Sequence, residues 1–128
     1  MVGLVIVSHS CKIAEGVRDL ALQMASDYER MIPAGGLADG SLGTDPMKIL
    51  EALRSANDGD GVALLVDLGS GIMSAEAAIE LLEGEFPARI ADAPLVEGAV
   101  AAVIEASTGA SLEEVIRAAE DVRGEEKL

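Results

Sequence analysis

Val2-Gly3-Leu4-Val5-Ile6-Val7-Ser8-His9-Ser10 is the stretch on which the reading of this chain turns. From Val2 to Val7 it is apolar without alternation, as expected of a strand covered on both faces in a parallel sheet. Open α/β sheets gather ligands and chemistry beyond the carboxyl ends of their strands. Ser8-His9-Ser10 falls at such an end, and His9 is the chain's only histidine. Imidazole can accept and release a proton or a phosphoryl group near neutral pH. The plain alternative is a histidine in a surface turn. Its place at a strand end, between two hydroxyls, makes His9 the candidate reactive residue.

Working outward, Val62 to Val66 repeats the apolar run and closes in Asp67-Leu68-Gly69-Ser70-Gly71. A weaker strand from Arg30 to Pro33 leads into a glycine-rich loop spanning Gly35 to Gly43, and a short strand is predicted over Ala88–Ala91. Helical spacing is found between them. One helix is expected over Ile13–Ala25, with Val17, Leu20, Ala21 and Met24 toward the core. The next runs over Pro46–Ala56, with Pro46 in its first turn and Thr44 or Asp45 as cap. Others are predicted over Met73–Leu82, Leu95–Ala106 and Leu112–Val122, the last capped by Ser111. Asn57 to Gly61 reads as a turn. This alternation predicts a single-domain α/β fold: an open, mainly parallel sheet in the order 2-1-3-4 with helices on both faces. With neither repeat nor linker, residues 1–128 read as one domain whose tail, 124–128, frays.

Half of the residues are apolar, yet Phe86 and Tyr28 are the only aromatics, so Ala, Val, Leu, Ile and Met must build the core. The 23 acidic residues against 9 basic ones give a formal net charge of −14. Such a polyanion is repelled by nucleic acid and by anionic lipid, and neither is an expected partner. Solubility alone accounts for the acidity; a sharper reading, drawn from the excess of arginine over lysine, is a high-salt cytoplasm. One cysteine, Cys11, excludes an internal disulfide framework, and one Cys with one His makes a structural metal site unexpected. With no membrane-length apolar run and no basic leader, the expected location is cytoplasmic.

In a parallel sheet of that order, the loops after strands one and three part at the topological switch point, which brings His9 and Asp67 within reach. A carboxylate accepting Nδ1–H would fix the tautomer and leave Nε2 as nucleophile. Asp67 could equally be a strand terminator or a helix cap. Gly69-Ser70-Gly71, just ahead of the predicted helix, offers backbone N–H groups suited to an anion, or is simply a turn. Thr44 could cap its helix and also aim a hydroxyl at the cleft. Cys11 and His9 share one loop with no second base, so Cys11 is read as a small side chain near the site. No G-x-x-x-x-G-K-[ST] and no G-x-G-x-x-G after strand one is present. A receiver domain would need acidic metal ligands after strand one, where this chain has Ser-His-Ser.

Five segments now stand out: Val5-Ile6-Val7-Ser8-His9-Ser10, Gly43-Thr44-Asp45, Val66-Asp67-Leu68-Gly69-Ser70, Ser74-Ala75-Glu76 and Ala93-Pro94-Leu95-Val96-Glu97-Gly98. Together they closely resemble the DhaM family, the phosphotransferase subunits of phosphoenolpyruvate-dependent dihydroxyacetone kinases. More distantly the chain is similar to the mannose-type IIA domains of the phosphotransferase system. The resemblance runs from Met1 to about Gly109 and is looser in the last helix.

The resemblance implies a phosphotransferase subunit and homodimer. His9 would be phosphorylated, on Nε2, by the phosphocarrier HPr, with Asp67 as its neighbour. The group would pass to ADP on the DhaL subunit, for dihydroxyacetone held on DhaK. No cofactor is then expected on this chain, while ADP or ATP and Mg would sit on the partner. Gly36 aligns with a glycine of the loop after strand two. The expected surround of the phosphoryl group is therefore Ser8, Ser10, Gly36, Thr44, Gly69, Ser70 and Gly71. Two departures are visible. The Gly35–Gly43 loop differs from the family pattern, and the fused carrier and enzyme I-like domains of some relatives do not follow this sequence, so separate donor proteins are expected. The alternative functions are a sugar-transport IIA domain serving a IIB partner, or a non-enzymatic module whose phosphorylation state is sensed. The Ala93–Gly98 segment favours the dihydroxyacetone branch.

Overall fold

The computed structural model describes residues 1–128 as four strands and five helices. In chain order these are β1 (Gly3–Ser8), α1 (Cys11–Leu22), β2 (Met31–Gly35), α2 (Pro46–Ala56), β3 (Val62–Val66), α3 (Gly69–Leu81), β4 (Ala88–Ile90), α4 (Leu95–Ser107) and α5 (Leu112–Asp121). A 3₁₀ turn, Val122–Gly124, follows α5, and residues 125–128 carry no regular structure. The sheet is parallel throughout, in the order β2-β1-β3-β4. No helix is long and apolar enough to cross a membrane.

The unalternating apolar runs of β1 and β3 have the predicted cause. Successive side chains point to opposite faces, and both faces are covered. Leu4, Ile6, Ala63 and Leu65 pack under α1, α4 and α5 with Ala14, Val17, Ala99, Val103 and Ile116. Val5, Val7, Leu64 and Val66 pack on the other face under α2 and α3, with Ile49, Leu53, Ala75 and Ala78. Small residues allow close approach. A Cβ on Gly3 would lie 2.2 Å from the Ala56 carbonyl oxygen, so β1 and the end of α2 meet at a distance only glycine permits.

Several expectations change in detail. β2 continues through Pro33 to Gly35 because it is an edge strand, where a missing N–H costs no ladder bond. α1 begins at Cys11, two residues before the expected start, because Ser10 caps it: its hydroxyl accepts the Ile13 N–H at 3.3 Å. The inward stripe of α1 is Ala14, Val17 and Ala21, whereas Leu20 and Met24 are half exposed. Leu20 lies about 60° round the helix from Val17, and Met24 falls past the end of α1. At α2, Asp45 is the cap, accepting the Met47 N–H at 2.9 Å; Thr44 is not. Gly69-Ser70-Gly71 is no approach loop but the first turn of α3 itself. The first N–H groups of a helix have no intrahelical partner anyway, so residues of low helix propensity cost least there. Ser111 caps α5 in a reciprocal box with Glu114, as its spacing predicts.

Candidate functional site

The ends of β1 and β3 carry the site. β3 lies beside β1 in the register Val7–Val66, and the Asp67 N–H extends the ladder by donating to the Val7 carbonyl at 3.1 Å. That step sets Asp67 beside Ser8 and His9. Its Oδ1 accepts His9 Nδ1–H at 3.0 Å and the Leu68 N–H at 2.7 Å. Its Oδ2 accepts the His9 main-chain N–H at 3.0 Å and the Ser8 hydroxyl at 2.9 Å. A carboxylate only accepts, so the proton at Nδ1 belongs to the ring and the unprotonated nitrogen of a neutral His9 is Nε2.

Burial of Asp67 pushes its carboxyl upward. The four hydrogen bonds, from the His9 and Leu68 N–H groups, the Ser8 hydroxyl and the His9 ring, outweigh that and hold it below the ordinary carboxylate value. The carboxylate is 14% exposed and the imidazole 25%. The Nδ1 contact with Asp67 is part-buried and the Nε2 contact is exposed, so the solvent side of the ring is the Nε2 edge.

Nε2 meets the Ser70 hydroxyl at 2.6 Å. Facing a lone pair, that hydroxyl donates. Ser70 can be there because α3 starts directly after Asp67, with Gly71 beneath it. A Cβ on Gly71 would stand 2.8 Å from Val66 Cγ1, 3.3 Å from Asp67 Oδ1 and 3.5 Å from His9 Cε1. Gly69 and Ser70 occupy the first two positions of α3, whose N–H groups have no helical acceptor and face the positive end of the helix dipole.

The remaining expected residues divide into two groups. Ser8 is fully buried; it donates to Asp67 and accepts the Ser10 N–H at 3.1 Å, so it props the carboxylate. Ser10 is the cap of α1. Gly36 adopts φ +71° and donates to the Ser8 carbonyl at 3.2 Å, and a Cβ there would press on the Cys11 main chain. These three shape the main chain under the histidine. Thr44, by contrast, sits at the mouth. Gly43 donates to the His9 carbonyl at 2.8 Å, and the neighbouring Thr44 hydroxyl lies 2.6 Å from that of Ser74.

Ser74 and Lys48 were not among the expected residues. Ser74 lies one turn along α3 from Ser70; that i, i+4 spacing and its place in the Ser74-Ala75-Glu76 segment were the available signals. Lys48, in α2, donates to the Gly35 carbonyl at 2.7 Å and pins the end of β2. The Ala93–Gly98 segment proves to be a packing feature: a Cβ on Gly98 would lie 3.0 Å from Ala93 Cβ and 3.2 Å from Leu65 Cδ1. No group of three or more His, Cys, Asp or Glu residues is placed to hold a metal ion.

The segments bearing these residues also carry exposed apolar side chains: Leu42 (75% exposed), Met47 (59%), Leu68 (63%) and Met73 (72%).

Residues 3–116 match the EIIA-man family model, described as the PTS system fructose IIA component. The phosphoryl donor subunit DhaM of the PEP-dependent dihydroxyacetone kinase of Escherichia coli (strain K12) is 47% identical over 121 residues, covering 91% of this chain. This chain spans only 26% of the length of that relative. The phosphoryl donor subunit DhaM of PEP-dependent dihydroxyacetone kinase 2 of Listeria innocua serovar 6a is 38% identical over 119 residues, covering 91% of this chain and 95% of its own. Among solved structures, a protein of unknown function designated EF1359 superposes with a TM-score of 0.79 at 33% identity, over 94% of this chain and 95% of that one.

Proposed function

This chain belongs to the EIIA-man family, in its DhaM branch, and from that premise we propose that it is the phosphohistidine carrier of a dihydroxyacetone kinase. It takes a phosphoryl group from a phosphohistidine carrier of the HPr type onto His9 Nε2. It then delivers that group to ADP on a DhaL-type subunit, which serves dihydroxyacetone bound to DhaK. The observation that carries this reading is the asymmetry of the His9 ring. Nδ1 is committed to Asp67 at 3.0 Å, and Nε2 faces outward.

The Nε2 lone pair attacks phosphorus as the N–P bond of the donor imidazole breaks, the bonding pair leaving with that imidazole. The proton on Nδ1 stays, so the phosphorylated ring carries imidazolium-like charge that the Asp67 carboxylate offsets. Ser70 turns its O–H from the lone pair to a phosphoryl oxygen, beside the N–H groups at the start of α3. In the second step a terminal oxygen of ADP attacks phosphorus, the Nε2–P bond breaks, and the pair returns to Nε2. The energy-rich N–P bond supplies the drive; the protein contributes position. Adenine nucleotide and Mg belong to the partner. The exposed side chains of Leu42, Met47, Leu68 and Met73 are offered to the partners, and the chain acts in the cytoplasm as a homodimer.

The test offers the protein labelled phosphoenolpyruvate with enzyme I and HPr, then ADP-loaded DhaL. The expected result is acid-labile label on wild type, none on His9→Ala, and its loss to ATP when the loaded subunit is added. Label persisting on His9→Ala would overturn the assignment of His9. Label that leaves only for a IIB domain would overturn the assignment of the acceptor.

A further inference from the structure

The Thr44 and Ser74 hydroxyls, 2.6 Å apart, join the loop after β2 to the middle of α3. The architecture does not require that bond. Asp45, not Thr44, caps α2, and α2 and α3 already share an apolar cluster containing Ile49, Leu53, Ala75 and Ala78. What the bond does is close a ring of contacts around the histidine. The His9 carbonyl accepts from Gly43, the next residue is Thr44, and Thr44 meets Ser74. One turn back along α3, Ser70 reaches Nε2 at 2.6 Å. The main chain and the reactive nitrogen of His9 are thus tied through one circuit, on the side of the ring away from Asp67. Two hydroxyls also carry two protons, and one suffices to join them. The pair keeps an O–H to donate at the mouth of the site.

We propose that Ser74 is a positioning residue. With Thr44 it forms a clasp that holds the Gly43–Asp45 segment against α3, so that Ser70 and the loop keep a phosphoryl group on Nε2 in place and shielded. This rests on the phosphohistidine reading of His9. A loosened clasp lets water reach phosphorus at angles the closed site denies it.

The test is the lifetime of the isolated phosphoprotein, charged by phosphoramidate or by the carrier and followed by ³¹P NMR, with thermal unfolding measured in parallel. Thr44→Val and Ser74→Ala should each shorten the half-life about five- to tenfold, the scale of one hydrogen bond. The double variant should be no worse than either, and the T44S/S74T exchange, which keeps both hydroxyls, should restore the wild-type lifetime. Half-lives within twofold of wild type in both single variants would overturn the proposal. So would a lowered unfolding midpoint with unchanged lifetime, the mark of a purely structural bond. Wild type that takes no label on His9 by either route would overturn the phosphohistidine reading and the clasp with it. In the two preceding outcomes wild type is labelled and only the clasp fails.

Discussion

Asp67 holds His9 twice, through the ring Nδ1–H on one oxygen and the main-chain N–H on the other, each at 3.0 Å. One carboxylate therefore fixes both the backbone entry to the imidazole and its rotation. The Ser8 and Leu68 donors complete its coordination and keep it anionic. The tautomer then follows without further machinery, with the proton inside and the lone pair outside.

Asp67→Asn keeps the shape and reverses that logic. An amide can turn its NH₂ toward Nδ1 and drive the ring proton to Nε2, where it blocks attack. Single-turnover phosphoryl transfer should fall by up to about 10⁴-fold, the loss seen when a triad aspartate is so replaced, with the circular dichroism spectrum unchanged. Transfer within threefold of wild type would mean that the carboxylate does not set the tautomer.

Ser70→Ala removes the donor at Nε2 in the resting protein and, in the proposed mechanism, one donor to the phosphoryl oxygens. The second effect wins, because a bond to developing charge is stronger than one to a neutral lone pair. Transfer should slow by about 10- to 100-fold, the scale of one hydrogen bond to a charged group, and the ¹⁵N shift of Nε2 should move as its hydrogen bond is lost.

Acid should weaken the fold partly through Asp67. Its folded value lies below its unfolded one. The stability it contributes is thus complete above the unfolded value of about 3.9 and is lost as pH falls from there through the folded value. Thermal unfolding across pH 2 to 7 should show a shallower acid limb for Asp67→Asn, its curve converging on that of wild type at the lowest pH. Parallel curves would assign acid sensitivity to other carboxylates.

Gly71→Ala tests the packing beneath the His9–Asp67 pair. In the first turn of α3 alanine gains little propensity over glycine, and its methyl group would stand 2.8 Å from Cγ1 of the buried, β-branched Val66, an overpacking that costs about 1–3 kcal/mol. The same methyl group stands 3.3 Å from Asp67 Oδ1 and 3.5 Å from His9 Cε1, so the pair must shift. Transfer should fall at least about tenfold, as small misplacements cost that much, and the unfolding midpoint should drop by several degrees; wild-type values of both would mean that the site has room for the methyl group.

The net charge of −14 predicts salt-dependent stability. At about 1 M salt the screening length falls to about 3 Å, which quenches repulsion between the exposed carboxylates. The unfolding midpoint should climb from low salt to that concentration; a flat response would remove the case for a high-salt origin.

The core strands were legible because burial on both faces leaves no polar alternation in Val2–Val7 or Val62–Val66. His9 and Asp67 were legible because each stands directly after such a run. The start of α3 was not, since Gly69-Ser70-Gly71 has the composition of a loop, and only the contacts at Gly71 with Val66, Asp67 and His9 explain the glycine at that position. Thr44 was misread as a possible cap because Asp45 beside it satisfies the same rule. Ser74, quoted only within the Ser74-Ala75-Glu76 segment, was given no role because a serine on a helix face is ordinarily solvent-facing; its meaning lies in a partner 30 residues away.

The closed Nδ1 side and the single open Nε2 edge have a kinetic corollary. In the proposed relay, donor and acceptor both reach phosphorus along the same line through the same opening, so neither can be seated while the other occupies it. Turnover then alternates between a charged and an uncharged form of the free carrier. Initial-rate plots against the two partners should give parallel lines, with each partner inhibiting when in excess by waiting at a door the other must use.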